Sequence, residues 1–251
     1  MTKNTDKKTN KKADLKYKRI LLKISGEALM GNQDFGIAPE PVEMIAKEIK
    51  KAQELGAQIG VVVGGGNIFR GMKNSSKLGM DQASGDYVGM LATVMNAIAL
   101  QSALRKIDVP CRVQSAIDIN KIAEPYIRFK AIRHLEKDRV VIFAAGTGNP
   151  FFTTDTASAL KASEVDAEII LMAKNKVDGV YSDDPRTNPK AKKYEKITYD
   201  DIIIKGLKVM DTAACALCKQ NEIPIIVFDF AKKGAICEIL KGKKIGTTVS
   251  K

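Results

Sequence analysis

The chain has 251 residues, 45% of them hydrophobic and 28% charged, with no tryptophan and one histidine. A chain of this size and composition can bury a substantial core with no disulfide or metal to hold it together. Its formal charge of +12 raises nucleic acid as a partner, yet residues 1–19 carry eight lysines or arginines against Asp6 and Asp14, a net +6 and half the total. No RNA-binding aromatic motif or helix-turn-helix pattern accompanies that charge. The expectation is a solvated basic tail over residues 1–16, one domain over 17–251 and no nucleic-acid partner. The leading residues show no apolar stretch with a cleavage site, and no run approaches roughly 18 uninterrupted apolar residues. A cytoplasmic protein without a membrane partner is therefore expected. Cys111, Cys215, Cys218 and Cys237 are scattered. Cys215 and Cys218 form a C-x-x-C within a helical run, no second pair completes it and His134 stands alone, so no metal site is expected. These thiols read as small apolar residues on a buried face.

In chain order, residues 19–24 (RILLKI) form a continuous apolar run that ends at Ser25-Gly26. Residues 39–55 place Val42, Ile45, Ala46, Ile49 and Ala52 at helical spacing, stopped by Gly56. Residues 59–63 are β-branched and run into Gly64-Gly65-Gly66. A long helix is predicted over 86–104 and a strand over 112–116. Residues 140–145 (VVIFAA) read as a buried strand, followed by a glycine-rich loop and a helix over 154–163. A strand over 169–173, a helix over 210–220 and a strand over 225–228 complete the pattern. Continuous apolar strands separated by helices indicate an α/β fold with a mostly parallel sheet covered on both faces. The 86–104 helix is apolar nearly all round, through Met90, Leu91, Val94, Met95, Ala97, Ile98 and Leu100. It is either central to the fold or, as favoured here, part of a subunit interface.

Four glycine- or aspartate-rich loops each follow a strand: residues 23–26 (KISG), 64–71 (GGGNIFRG), 146–154 (GTGNPFFTT) and 175–185 (NKVDGVYSDDP). In a parallel sheet the carboxyl ends of the strands share one rim, where ligands bind. Glycines let backbone N–H groups approach anionic oxygens, and helix N-termini stabilise the charge. No G-x-x-x-x-G-K-[ST] is present, since the glycine pair at 31 and 36 is followed by Ile37-Ala38. Phe69 and Phe151 occupy the last position of what would otherwise be G-x-G-x-x-G. One histidine and no G-x-S-x-G disfavour hydrolysis through an activated nucleophile. Phosphoryl transfer asks only for positioned cations, N–H donors and Mg²⁺. Lys23 and Arg70 are the natural cations; Asp155 and Asp184 are suited to holding lysine ammonium groups or water-bound Mg²⁺. Singly these signals have plainer readings: K-x-S-G as a cap, G-G-G as a tight turn, and Thr153, Thr154 or Asp155 as an N-cap. A cap explains one residue of the 146–155 segment and none of the rest, so function is favoured there.

The segments KRILLKISGEAL (18–29), VVVGGGNIFRG (61–71), GDYVGMLATVMNAIAL (85–100), GTGNPFFTTDTA (146–157), KVDGVYSDDP (176–185) and KVMDTAA (208–214) resemble the successive signatures of bacterial uridylate kinases, within the amino acid kinase superfamily. The resemblance runs from Tyr17 to Val249. It implies a three-layer αβα sandwich with a mostly parallel central sheet, assembled as a hexamer. It implies transfer of the ATP γ-phosphate to UMP in pyrimidine nucleotide synthesis, with Mg²⁺ entering as MgATP. ATP contacts would fall on Lys23, Ile24, Ser25, Gly26, Gly66, Arg70, Asn175, Tyr181 and Asp184. UMP contacts would fall on Gly65, Asp86, Thr147, Gly148, Asn149, Pro150, Phe151, Phe152, Thr153 and Thr154. Phe151 and Phe152 either shape the pocket or fill core. Gly31, Asn32, Gln33, Asp34, Phe35 and Gly36 match the segment tied to GTP activation in many members, and UTP is an expected inhibitor. Asn175 stands where many relatives carry threonine. The rival readings are a superfamily kinase with another acceptor, such as acetylglutamate, aspartate or carbamate, and a non-catalytic nucleotide sensor.

Overall fold

Strands with no polar alternation must be covered on both sides, and the computed structural model, which describes residues 14–70, 78–175, 177–207 and 209–251, covers them. Strands β1 (Arg19–Ile24), β2 (Gln58–Val63), β3 (Cys111–Ser115), β4 (Glu124–Pro125), β5 (Val140–Ala144), β6 (Ile169–Lys174), β9 (Lys196–Thr198), β10 (Ile225–Asp229) and β11 (Thr247–Ser250) form one sheet in the order β4-β3-β5-β2-β1-β6-β10-β11-β9. Every neighbouring pair is parallel except β10 with β11. A separate antiparallel pair, β7 (Val180–Tyr181) and β8 (Lys193–Tyr194), stands apart.

Alternation along the strands divides the core in two. Ile20, Leu22, Ile24, Val61, Val63, Ile169 and Leu171 pack with helices α1 (Pro39–Glu54), α2 (Gln82–Lys106) and α7 (Ala235–Leu240). Leu21, Val62, Val141, Ile170 and Met172 pack with α3 (Arg128–Glu136), α4 (Thr154–Glu164), α5 (Tyr199–Ile204) and α6 (Thr212–Gln220). The three-layer αβα sandwich expected from the sequence is the observed architecture. Cys215 and Cys218 lie buried in α6, and burial first of all pushes their thiols up to about 11 and about 12. They pack as core, as read. His134 is buried too, with Nε2 3.1 Å from Glu124 Oε2.

Just ahead of Tyr17, Leu15 is buried and the Lys16 N–H donates to the Leu240 carbonyl at 2.9 Å. The rest of the basic tail, with Lys3, Lys7, Lys8, Lys11 and Lys12, lies outside the described residues, as do Gly71, Lys176 and Lys208 of the quoted motifs.

Helix α2 begins four residues earlier than predicted, because Asp81 caps it by accepting from the Ser84 N–H at 2.7 Å. It is long and apolar enough to cross a membrane by length and composition alone, but Met90, Val94, Ala97, Leu100 and Leu104 are buried against the sheet. Its other side shows Tyr87, Leu91 and Met95 at 45%, 49% and 55% exposure. Among the described residues, the helix is therefore covered on one side only. One apolar stripe is packed, and a second faces outward.

Candidate active site

Register sets the rim. Lys23 pairs with Val62 on one side and Met172 on the other, so β1, β2 and β6 end together. The chain then turns into Ser25-Gly26, Gly64–Gly66 and Asn175 at that common edge. Lys23 shares the strand face of Leu21, the side covered by α4. That placement brings its ammonium to 2.5 Å from Asp155 Oδ1, with Lys23 only 8% exposed. Asp155 stands in the first turn of α4, where the helix dipole favours a carboxylate, and its N–H donates to the capping Thr153 hydroxyl at 3.0 Å.

The glycine loops approach closely. A Cβ on Gly26 would lie 2.6 Å from Asn67 Oδ1, 2.7 Å from the Gly64 carbonyl oxygen and 2.8 Å from the Gly66 nitrogen. Only glycine allows that contact. The second loop is fixed from behind by two buried amides that exchange hydrogen bonds: Asn67 donates to Asn96 at 3.0 Å and Asn96 donates back at 2.7 Å. Asn96 Nδ2 also lies 2.7 Å from the Gly64 carbonyl as donor. Arg70 closes this side, half-exposed, with Nη2 2.9 Å from Glu27 Oε1 and Nε donating to the Gly66 carbonyl at 3.3 Å.

The 146–154 loop bends sharply. Gly146 and Gly148 take positive φ, and a Cβ on Gly148 would meet the Ala116 carbonyl oxygen at 2.7 Å. Phe151 also sits at φ +70°, a sparsely populated region for a side-chain-bearing residue; its N–H donates to Asp86 Oδ2 at 2.7 Å. Phe151 and Phe152 are exposed, so they do not fill core. Thr153 hydrogen-bonds Asp211, and the Thr156 hydroxyl donates to the same carboxylate at 2.9 Å. Asp211 in turn caps α6 through the Ala214 N–H at 2.7 Å. One carboxylate thus joins the starts of two helices.

A cleft of about 520 Å³ opens beside this pair of lysine and aspartate, lined by Lys23, Ser25, Glu27, Lys174, Asn175, Tyr181 and Asp184 among others. The Tyr181 hydroxyl donates to Asp178 at 2.6 Å, and Lys193 ion-pairs the other Asp178 oxygen at 2.6 Å. Hydrogen bonds from Lys193 and then Tyr181 hold the Asp178 carboxyl below its usual range. Asp184 takes both guanidinium contacts of Arg186, at 3.0 and 2.9 Å. Lys174 Nζ donates to the Val209 carbonyl at 2.8 Å.

The family model for the amino acid kinase family matches residues 18–229. The chain belongs to the amino acid kinase family. Among solved structures it is similar to a UMP kinase from Bacillus anthracis, 39% identical with a TM-score of 0.90 over 93% of this chain and 96% of that one. It is also similar to a UMP kinase from Ureaplasma parvum, at 41% identity and a TM-score of 0.88, over 94% and 99% of the two chains. A uridylate kinase from Archaeoglobus fulgidus matches at 28% identity and a TM-score of 0.71, over 92% and 99%.

In this amino acid kinase chain, Lys23, Ser25, Asn175, Tyr181 and Asp184 of the expected ATP set line one cleft. Ile24 ends β1, Gly26 and Gly66 lie on the adjoining glycine loops, and Arg70 is ion-paired with Glu27, which lines the cleft. Of the expected UMP set, Asp86 accepts from the Phe151 N–H, Thr153 caps the helix that carries Asp155, and Thr154 is that helix's first residue. Thr147, Asn149 and Pro150 lie on that loop, and Gly65 is packed under the Gly89 carbonyl of α2. Residues 31–36 are not among the residues lining the cleft; Gly36 is tied to Asn67 by two hydrogen bonds of 2.7 and 2.8 Å. Sequence reasoning missed Glu27, Asn96, Lys174 and Asp211. Asp211 carried a signal, lying as it does within KVMDTAA before a helix.

Proposed function

We propose that the chain is a UMP kinase, transferring the γ-phosphate of ATP to the 5′-phosphate of UMP to give UDP and ADP in pyrimidine nucleotide synthesis. The observation that carries this reading is the Lys23–Asp155 ion pair, set between the glycine loops of the cleft and the 146–154 loop. A UMP phosphate oxygen attacks the γ-phosphorus, the bond to the β,γ-bridging oxygen breaks, and the electron pair leaves on ADP. The acceptor is already an anion, so no general base is needed, and catalysis reduces to position and electrostatics. Lys23 and Arg70 meet charge on the transferring group, and backbone N–H groups of the loops after β1 and β2 add donors. Asp155 holds and aims the Lys23 side chain. Asn175 and Tyr181 address the adenine, and Asp86 the ribose of UMP.

No group of three or more His, Cys, Asp or Glu side chains converges among the described residues, while Asp155 and Asp184 already engage cationic partners. That donor set fits Mg²⁺ arriving on the triphosphate, where Asp155 and Asp184 would hold it through water and the ion would neutralise phosphate charge. The homohexamer, the cytoplasmic location, GTP activation through residues 31–36 and UTP inhibition belong to the same proposal. The Gly36–Asn67 bonds are the route by which such a loop would act on Gly64–Gly66.

The test is incubation of the purified chain with MgATP and, separately, UMP, CMP, acetylglutamate, aspartate and carbamate. UDP formation is expected. Phosphorylation of aspartate without UMP would end the assignment, and nucleotide binding with no turnover on any acceptor would favour a sensor.

A further inference from the structure

We propose that Lys174 is a second phosphate-contacting cation of the cleft, acting with Lys23 on the bound polyphosphate. Lys174 ends β6, whose partner β1 carries Lys23. Met172 faces Lys23 across the pair, and Lys174 lies two residues further along, on the same face and roughly 6.6 Å nearer the rim. Both lysines line the same cleft. Asp155 is the carboxylate they share electrostatically, and it is ion-paired with Lys23. Among the described residues Lys174 has no ion-pair partner; its hydrogen bond goes to the neutral Val209 carbonyl. The cluster therefore holds two ammonium groups against one carboxylate, an excess positive charge in a largely buried place. Burial, and then the charge of Lys23, lowers the Lys174 pKa from the ordinary lysine value. Such an excess is costly without a counter-ion, and a polyphosphate in the cleft supplies one. The alternative role, bracing the Val209 backbone, leaves the charge imbalance without a purpose.

The rate arm of the test rests on the UMP kinase reading, and a binding arm does not. Lys174→Met keeps the aliphatic stem and removes the charge; Lys174→Arg keeps the charge. With the full chain, Lys174→Met is expected to lower kcat on the order of 10²-fold, as loss of one preorganised donor does, and to weaken inorganic tripolyphosphate in calorimetry by about tenfold or more. The KM for UMP is expected to stay near wild type, and Lys174→Arg to recover part of both losses. Because Lys174 gives up its proton below the ordinary lysine range, wild-type kcat should fall on the alkaline side, and Lys174→Arg should remove that limb. Wild-type kcat and tripolyphosphate affinity in Lys174→Met would overturn the inference. If that variant does not fold, an unchanged alkaline limb in Lys174→Arg overturns it instead. If the wild-type chain makes no UDP, the kinase reading has failed and the tripolyphosphate titration alone decides the role of Lys174.

Discussion

Lys23 and Asp155 form a nearly buried pair whose members depend on each other. Breaking such a pair from one side strands the other charge away from water. Asp155→Asn keeps the shape and removes the negative charge, leaving Lys23 without its anchor beside Lys174. The expected result is a kcat lower on the order of 10²-fold, with a KM for ATP no higher than wild type because the cleft has become more positive. Steady-state kinetics separate the two effects; an unchanged kcat would remove Asp155 from the machinery. Gly26 makes a different kind of demand. An added methyl would sit under 3.0 Å from three atoms of the Gly64–Asn67 loop, two of them backbone, and backbone cannot step aside as a rotamer can. Gly26→Ala is expected to cost about 1–3 kcal/mol in urea unfolding and to depress kcat, since both loops must shift. A variant with wild-type stability and rate would show that the close approach is not required.

The strands β1, β2, β5, β6 and β10 were legible because each is an unbroken apolar run, which only a doubly covered parallel sheet accommodates. What the sequence hid follows from weak burial. Helix α3 buries only Ala131, His134 and Leu135 of RFKAIRHLE, too few for a visible stripe. Helix α5 leaves Ile203 and Ile204 exposed, which contradicts a simple amphipathic pattern, and β11 (TTVS) has a single apolar residue, Val249. The site was legible where glycine loops follow strands. Lys174 was not, because the apolar run ends at Ala173 and a lysine after it reads as a loop residue, and the Asp211 bond to Thr153 joins residues 58 apart. The β7–β8 pair was equally invisible, being two residues a side, yet Asp178 ties it together through Tyr181 and Lys193. The folded carboxyl of Asp178 is depressed below its unfolded value. Its contribution is therefore complete above the ordinary carboxylate range and lost as pH falls through the depressed value. The protection factors of the Val180 and Tyr181 amides, exchange rates taken relative to the intrinsic rate at each pH, should fall across that window in the wild type, and be low already at neutral pH in Asp178→Asn. Because exposed pairs are worth roughly 0.2–1 kcal/mol, the KM for ATP in that variant should rise by no more than about fivefold.

Two features of α2 meet in one prediction about assembly. Its inner side holds the site: Asn96 donates to the Gly64 carbonyl, and Asp86 accepts from Phe151. Its outer side presents Tyr87, Leu91 and Met95 at helical spacing, a contiguous apolar stripe of the sort that marks an interface. If a second copy covers that stripe, as the proposed oligomer requires, the helix that fixes the Gly64–Gly66 loop is steadied by the neighbouring subunit. Leu91→Asp combined with Met95→Asp places two charges on the stripe and should disperse the assembly, read as a fall in mass by light scattering. The inward contacts are untouched, so the lone subunit should still fold, with a circular dichroism spectrum like that of the wild type. It should nonetheless bind UMP more weakly, because α2 carries Asp86 and has lost its outer support. A wild-type chain that is already monomeric, or a dispersed double variant with unchanged UMP affinity, would break the link between assembly and site.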